Sequence, residues 1–159
     1  MASLEDRIIQ QLLNDLQSTD PSIRQNATQN LWERWFNEKG TEARTALMQA
    51  TRLMERGEFI RAEGQVNRLL DTYPDFAEAF NKRATIRYLM GDFTEAAADC
   101  EQVITLKPYH FGALHGLGLC RMQLGEYPAA LAALRRAVVV QPHALVNQQL
   151  IAECLTHLS

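Results

Sequence analysis

No stretch of the chain approaches the roughly 18 consecutive apolar residues that span a bilayer. The opening Met1-Ala2-Ser3-Leu4-Glu5-Asp6-Arg7 also lacks the basic segment and apolar run of a secretory signal. Neither membrane insertion nor export is expected. Charge of one sign is never concentrated: no run of five like charges occurs, and 16 Lys and Arg stand against 19 Asp and Glu for a net charge of -3. So mild a balance gives no general attraction to nucleic acid or anionic lipid. Cysteine is sparse. Cys100, Cys120 and Cys154 are odd in number and form no CxxC pair, which argues against a disulfide framework or a zinc site and for a reducing, cytoplasmic setting.

Catalytic signatures are missing as well. There is no GxSxG, no Gly-rich phosphate loop and no HExxH. His110 and His115 are five apart, so they do not share a helix face as i,i+4 metal ligands would. His143 and His157 lie elsewhere, with no carboxylate cluster beside them. An enzyme is not expected, nor any cofactor or metal.

What the sequence has is the makeup of a globular protein, with 47% hydrophobic and 22% charged residues over a length that buries a real core. It also has a period. Gly57, Gly91 and Gly125 are spaced by 34; so are Phe59, Phe93 and Tyr127, then Ala62, Ala96 and Ala130, then Pro74, Pro108 and Pro142. Ala50, Ala84 and Gly118 add a small residue at a further phase, and Ala43, Ala77 and Phe111 open the three units. Each glycine lies between two helical patterns, where a chain leaving a helix needs a positive φ. Before Gly91, Phe80, Ala84, Ile86 and Leu89 recur at helical spacings; after it, Phe93, Ala96, Ala97, Cys100, Val103 and Ile104 form one stripe. Asp92, with Glu95 three residues on, reads as a helix start. Pro108 ends the second helix and forces Lys107 out of the α region. In the first unit Gly64 is expected to interrupt the second helix.

This pattern of small residue, glycine, aromatic, alanine and proline resembles the tetratricopeptide repeat, over residues 43–144. The resemblance implies an all-α, right-handed α-solenoid of antiparallel helix pairs, with repeats at 43–76, 77–110 and 111–144. A capping helix at 145–158 should follow, its apolar stripe Leu145, Leu150, Ile151, Cys154, Leu155 and Leu158 turned inward and Asn147, Gln148, Gln149 and Glu153 facing water. Residues 1–40 read as a separate helix pair packed on the 41–159 repeat domain. Its first helix carries Leu4, Ile8, Ile9, Leu12, Leu13 and Leu16; the second, capped by Asp20 with Pro21 at its first position, carries Ile23, Ala27, Leu31, Trp32, Trp35 and Phe36. This second segment resembles one half of a HEAT-type pair. Stacking on the first repeat would bury Trp32, Trp35 and Phe36 there, against the alternative of an aromatic hot spot.

The family resemblance further implies a concave groove lined by the second, fifth, ninth and twelfth residues of each unit. These are Arg44, Leu47, Thr51 and Met54; Glu78, Asn81, Thr85 and Tyr88; and Gly112, His115, Leu119 and Met122. The surface they predict is neutral and semi-apolar, with a Met54–Tyr88–Met122 ladder suited to a helix or an extended peptide, unless the N-terminal helices or the cap fill it. Relatives that grip a chaperone's C-terminal carboxylate place cations at the fifth and ninth positions. None stands there, so that mode is not expected. Gly112, Gly116 and Gly118 cost a helix roughly 1 kcal/mol each. Close packing accounts for Gly116 and Gly118, while Gly112 is either a packing contact or a groove floor. Arg87 and Arg121 share one phase and are expected to pair with Asp99 or Glu101, or else to form a basic strip together with Arg83. The expected role is a protein-interaction module (an adaptor, scaffold or assembly factor) with another protein as partner. The alternative is a structural protein acting through self-association as a homo-oligomer.

Overall fold

The computed structural model describes residues 1–159. Its elements are nine helices: α1 Leu4–Asp15, α2 Pro21–Phe36, α3 Thr41–Glu55, α4 Phe59–Thr72, α5 Ala77–Leu89, α6 Phe93–Leu106, α7 Phe111–Gln123, α8 Tyr127–Val140 and α9 Leu145–Thr156. The pairs α3–α4, α5–α6 and α7–α8 are the three units. None of the helices is long and apolar enough to cross a membrane.

The period works through the turns. Gly57, Gly91 and Gly125 have φ of 77°, 83° and 73°. At each, the glycine N–H donates to a carbonyl three residues back (Met54, Tyr88, Met122; 2.9–3.0 Å), and the next N–H reaches five back, to Leu53, Arg87 and Arg121 at 2.8–2.9 Å. This is a Schellman closure, repeated three times, and it reverses the chain without help from side chains. Asp92 therefore does not cap α6 as expected: its side chain makes no cap hydrogen bond, because the backbone turn already fixes the entry. The second helices end with Tyr73, Lys107 and Gln141 at φ near -130° (-128°, -137°, -127°), the extended geometry that a following proline imposes. Gly64 does not break α4, which runs through it.

Within a unit the helices cross closely. A Cβ on Gly118 would lie 2.5 Å from Leu134 Cδ2, so this crossing admits nothing larger than glycine. Ala50 and Ala84 are buried at the same phase. Between units, α3 touches α5 and α5 touches α7, whereas no comparable contact joins α4 to α6 or α6 to α8. The stack consequently curves, with α3, α5 and α7 inside. The arginines pair as expected. Arg83 and Arg87 both bond the buried Asp99 (2.8–3.0 Å), Arg87 also bonds Glu63 at 2.9 Å, and Arg121 bonds Glu101 and Glu126 at 2.5 and 2.8 Å.

Both ends depart from expectation. In α9, Cys154 and Asn147 are buried, Asn147 Oδ1 lying 2.8 Å from His115 Nδ1, while Leu145, Leu155 and Leu158 are exposed. The helix begins 34 residues after Phe111, so it stands in the phase of a unit's first helix and turns residues 147 and 154 toward the preceding unit.

The N-terminal pair does not extend the stack. Asp20 does cap α2, its Oδ1 accepting the Ser22 N–H at 2.9 Å. From there α2 runs along the turns that link one unit to the next, making its inter-helix contact with α5. Leu12, Leu16, Ala27, Leu31 and Trp35 form one cluster with Phe111, joined by Tyr109 and Val140. Gln17 Nε2 donates to the Val139 and Val140 carbonyls at 3.1 and 3.0 Å. Lys39 pairs with Asp75 at 2.9 Å, and Lys107 lies 3.5 Å from Glu38. Residues 1–40 thus form a strap tying all three units, and Trp32 and Trp35 are packed against the start of the third unit rather than the first. Only Phe36 reaches the core of the first.

Candidate functional site

The inner face of α3, α5 and α7 is the concave surface, and α2 covers one edge of it. The second-position residues lie on that edge. Arg44 bonds Asn37 Oδ1 at 2.9 Å and Glu33 at 3.1 Å. Glu78 is fully buried, with its Oε1 2.5 Å from His110 Nε2. His110 Nδ1 accepts the Ala113 N–H at 3.0 Å, capping α7, so Nε2 carries the ring proton and donates it to Glu78. The same imidazole stacks on Trp35, ring centroids 4.1 Å apart. A Cβ on Gly112 would lie 2.7 Å from Trp32 Cη2. This glycine is therefore a packing contact of α2, and it also lines the recess between α5 and α7.

These contacts correct the expected lining. Leu47 is buried and presents nothing to a ligand, and Glu78 is buried with its carboxylate engaged by His110. Gly112 packs against Trp32 while still lining the recess between α5 and α7, and Arg44 is engaged by α2. The ladder also dissolves: Met54 packs on the first unit's core and Met122 on the cluster of Leu131, Leu134 and Cys154. His115 keeps one edge on the inner face while its Nδ1 meets Asn147. What stays accessible is a channel. A recess of about 730 Å³ is walled by Gln29, Trp32, Glu33 and Phe36 of α2 and floored by Glu78, Asn81, Lys82 and Thr85 of α5. A second of about 170 Å³ lies between α5 and α7, and its lining includes the expected Asn81, Thr85, Tyr88, Gly112, His115 and Leu119. Asn81 and Thr85 belong to both, so the two recesses join along α5. Thr51, of α3, is half-buried, its hydroxyl donating to the Leu47 carbonyl at 2.9 Å.

Charge in the channel is slight. Lys82 is the sole lysine or arginine among the residues lining either recess. Burial pushes its ammonium below the usual lysine range, partly offset by Glu78 and Glu55. Cys100 and Cys120 face each other at the inner end. Their mutual hydrogen bond and burial push the Cys100 thiol up, which keeps it protonated and inert. The groups of histidine, cysteine and carboxylate needed to hold a metal ion do not occur. The arrangement suits recognition of a short segment by shape and neutral hydrogen bonds.

Partial filling of the groove by the N-terminal helices is the alternative that the sequence leaves open, but Gln29, Trp32, Glu33 and Phe36 could not be named as the wall, since nothing in a single non-repeating helix pair states where it docks. The one signal was Glu78 and Gly112 at groove positions.

Tetratricopeptide repeat family models match residues 47–111 and 88–154. A TPR repeat-containing protein of Rhizobium etli is 29% identical over 138 residues, which is 86% of this chain and 66% of that protein, so the chain spans just under two thirds of that relative's length. Among solved structures, the first TPR of Spaghetti (RPAP3), bound to the HSP90 peptide SRMEEVD, superposes with a TM-score of 0.71 at 17% identity, covering 73% of this chain and 92% of its own. The TPR2B domain of yeast Sti1, in a pHsp70 complex, gives 0.67 at 21% identity over 72% and 96%. With two models of one repeat covering residues 47 to 154 between them, on a fold those structures share, the chain belongs to the tetratricopeptide repeat proteins.

Proposed function

We propose that the chain is a protein-interaction module of the adaptor or assembly-factor kind, taking an extended, uncharged segment of a partner protein in the channel between α2 and α5–α7. The observation that carries this reading is the joining of the two recesses at Asn81 and Thr85. Together they offer hydrogen-bonding side chains along a floor and, at its end, an apolar recess beside Tyr88 and Leu119 for one anchoring side chain. A helix is disfavoured, since with side chains it is about 10–12 Å across and α2 already occupies that edge.

The two solved relatives are bound to chaperone-derived partners, the first to a peptide ending in acidic residues. This chain has Leu47, Thr51, Asn81, Thr85, His115 and Leu119 at the fifth and ninth positions, with no lysine or arginine among them. Lys82 alone could meet a carboxylate, so an acidic tail is not the favoured ligand.

The test is affinity capture with wild type and with Thr85→Trp, which fills the junction from an exposed position, circular dichroism confirming both folds. Partners held by wild type should be lost from Thr85→Trp and kept by Ile60→Glu, an exposed site on α4 that lines neither recess. Recovery of the same partners by Thr85→Trp would place binding elsewhere.

A further inference from the structure

Across each boundary in the stack, a residue of a second helix packs with the residue twenty places on, in the helix that follows. Val66 and Ile86 lie in one buried cluster, and Leu134 and Cys154 in another. At the middle boundary the corresponding pair is Cys100 of α6 and Cys120 of α7, 2% and 1% exposed. There the space is not filled. A thiol is smaller than the valine, leucine or isoleucine side chains at the other boundaries, and Gly116, one turn before Cys120, brings no side chain at all. Cys100 Sγ lies 3.2 Å from the point where a Cβ on Gly116 would be. Helical side chains lean toward the N-terminus, so the Cys120 thiol overhangs the same bare stretch of backbone and meets the Cys100 sulfur. Both cysteines line the recess of about 170 Å³ between α5 and α7. Cys154, the third, packs among Ala130, Leu131 and Leu134 instead.

We propose that Cys100 and Cys120 are a thiol–disulfide switch, closed by a hydroperoxide that enters the recess, and that closure reshapes the anchoring end of the channel. Its effect on a partner rests on the channel reading above; the bond itself does not. A water takes about 30 Å³ of the liquid, so the recess has room for hydrogen peroxide beside the two sulfurs. The roles of the thiols are unequal. The Cys100 S–H donates to Cys120, which with the charge of Arg121 holds the Cys120 thiol below the usual cysteine range against the opposing effect of burial. Cys120, as the thiolate, attacks one peroxide oxygen. An S–O bond forms, the O–O bond breaks, and the departing hydroxide takes up the proton that Cys120 released, giving water. The Cys100 sulfur then displaces hydroxide from the Cys120 sulfenic acid. The S–S bond forms, the S–O bond breaks, and the Cys100 proton leaves with the hydroxide as a second water. Together the sulfurs lose two electrons and the peroxide gains them. A bond of about 2.0 Å then ties α6 to α7 at the floor of the recess. Cys120 packs with Ala96 and Ala97, and Tyr88 rests on that cluster, so a shift of Cys120 passes to the recess wall.

The test treats the isotope-labelled full chain with hydrogen peroxide. The intact mass should fall by two hydrogens, with Cys100 and Cys120 joined within one chain, Cys154 still a free thiol, and dithiothreitol restoring the starting mass. Amide resonances of Tyr88 and Leu119 should move, and that of Ile60 should not. Cys120→Ala should abolish the mass change, and Cys154→Ala should leave it. Partners lost from Thr85→Trp should be lost from oxidised wild type as well. The proposal is overturned if Cys120 gains oxygen without a cross-link, if the bond joins Cys154 or a second chain, or if Tyr88 and Leu119 stay unmoved in the cross-linked chain. It is overturned too if oxidised wild type holds the partners that Thr85→Trp loses, an outcome that leaves the channel reading intact. Thr85→Trp keeping its partners sinks the channel reading instead, while the mass change and the Tyr88 and Leu119 shifts still decide the switch.

Discussion

Trp32 Cη2 stands 2.7 Å from the point where a Cβ on Gly112 would be, so an indole from the N-terminal strap rests directly on the backbone of the third unit's first helix. The ring borders the recess over α5 on one side and aromatic neighbours on the others. Trp35, Phe36, His110 and Phe111 surround it with centroids 5.2 to 5.9 Å away.

Gly112→Ala sets two effects against each other. Alanine favours the helix by about 1 kcal/mol, and overpacking against the indole costs about 1–3 kcal/mol. The substitution should be neutral to destabilising in the wild-type chain. In a Trp32→Ala background only the 3.1 Å approach of His110 Cε1 is left, and the same change should stabilise by up to about 1 kcal/mol. Urea unfolding of the four proteins measures that reversal of sign; additive effects would mean the contact is slack.

The Glu78–His110 bond joins two fully buried groups, one in the first turn of α5 and one at the N-cap of α7. Removing either side chain strands the other without water, at a cost of about 3 kcal/mol. His110→Ala also loses the cap on Ala113, about 1 kcal/mol more. Because His110 stacks on Trp35, His110→Ala should in addition loosen the strap. A red shift in tryptophan emission at temperatures where far-ultraviolet dichroism is still native would report it. Coincident melting by both probes would count against a separately releasable strap.

Asp99 and Glu101 test how burial sets the worth of an ion pair. Asp99 is 4% exposed and holds both Arg83 and Arg87, so Asp99→Ala leaves two guanidinium groups short of their partner and should cost about 3–5 kcal/mol. Glu101 is 54% exposed, and Glu101→Ala should cost under about 1 kcal/mol. Chemical denaturation at low and high salt distinguishes them, since only the second effect should shrink with salt.

Lys82 gives a pH dependence of known sign. Burial holds its pKa below that of the unfolded chain, so the unfolded state binds the proton more tightly. Stability from this group is lowest at neutral pH and rises as the pH climbs toward the unfolded value of about 10.4. Lys82→Met should raise the melting temperature at neutral pH and flatten that rise. An unchanged pH profile would show that the ammonium is solvated in the folded chain.

The repeat was legible because it is local. Gly57 is sensed by its own turn, Pro108 acts on Lys107, and the alanines at one phase meet the helix next in sequence; each interaction lies within about one period and recurs three times. Gly64 misled because a glycine inside a helix weakens it without breaking it when neighbours hold both ends. The cap misled because Leu145, Leu155 and Leu158 were assigned inward on hydrophobicity alone. Phase decides orientation, and phase puts Asn147 inside.

The sequence by itself determined the number of units, their phase and the glycine turns between paired helices, because all of these follow from spacing along the chain. Only the tertiary structure decided where residues 1–40 dock. That step joins Trp32 to Gly112 and Gln17 to Val140, pairs far apart in sequence, through shape complementarity that no periodicity encodes. It also decided the site, turning an expected open groove into a narrower channel with α2 as one wall.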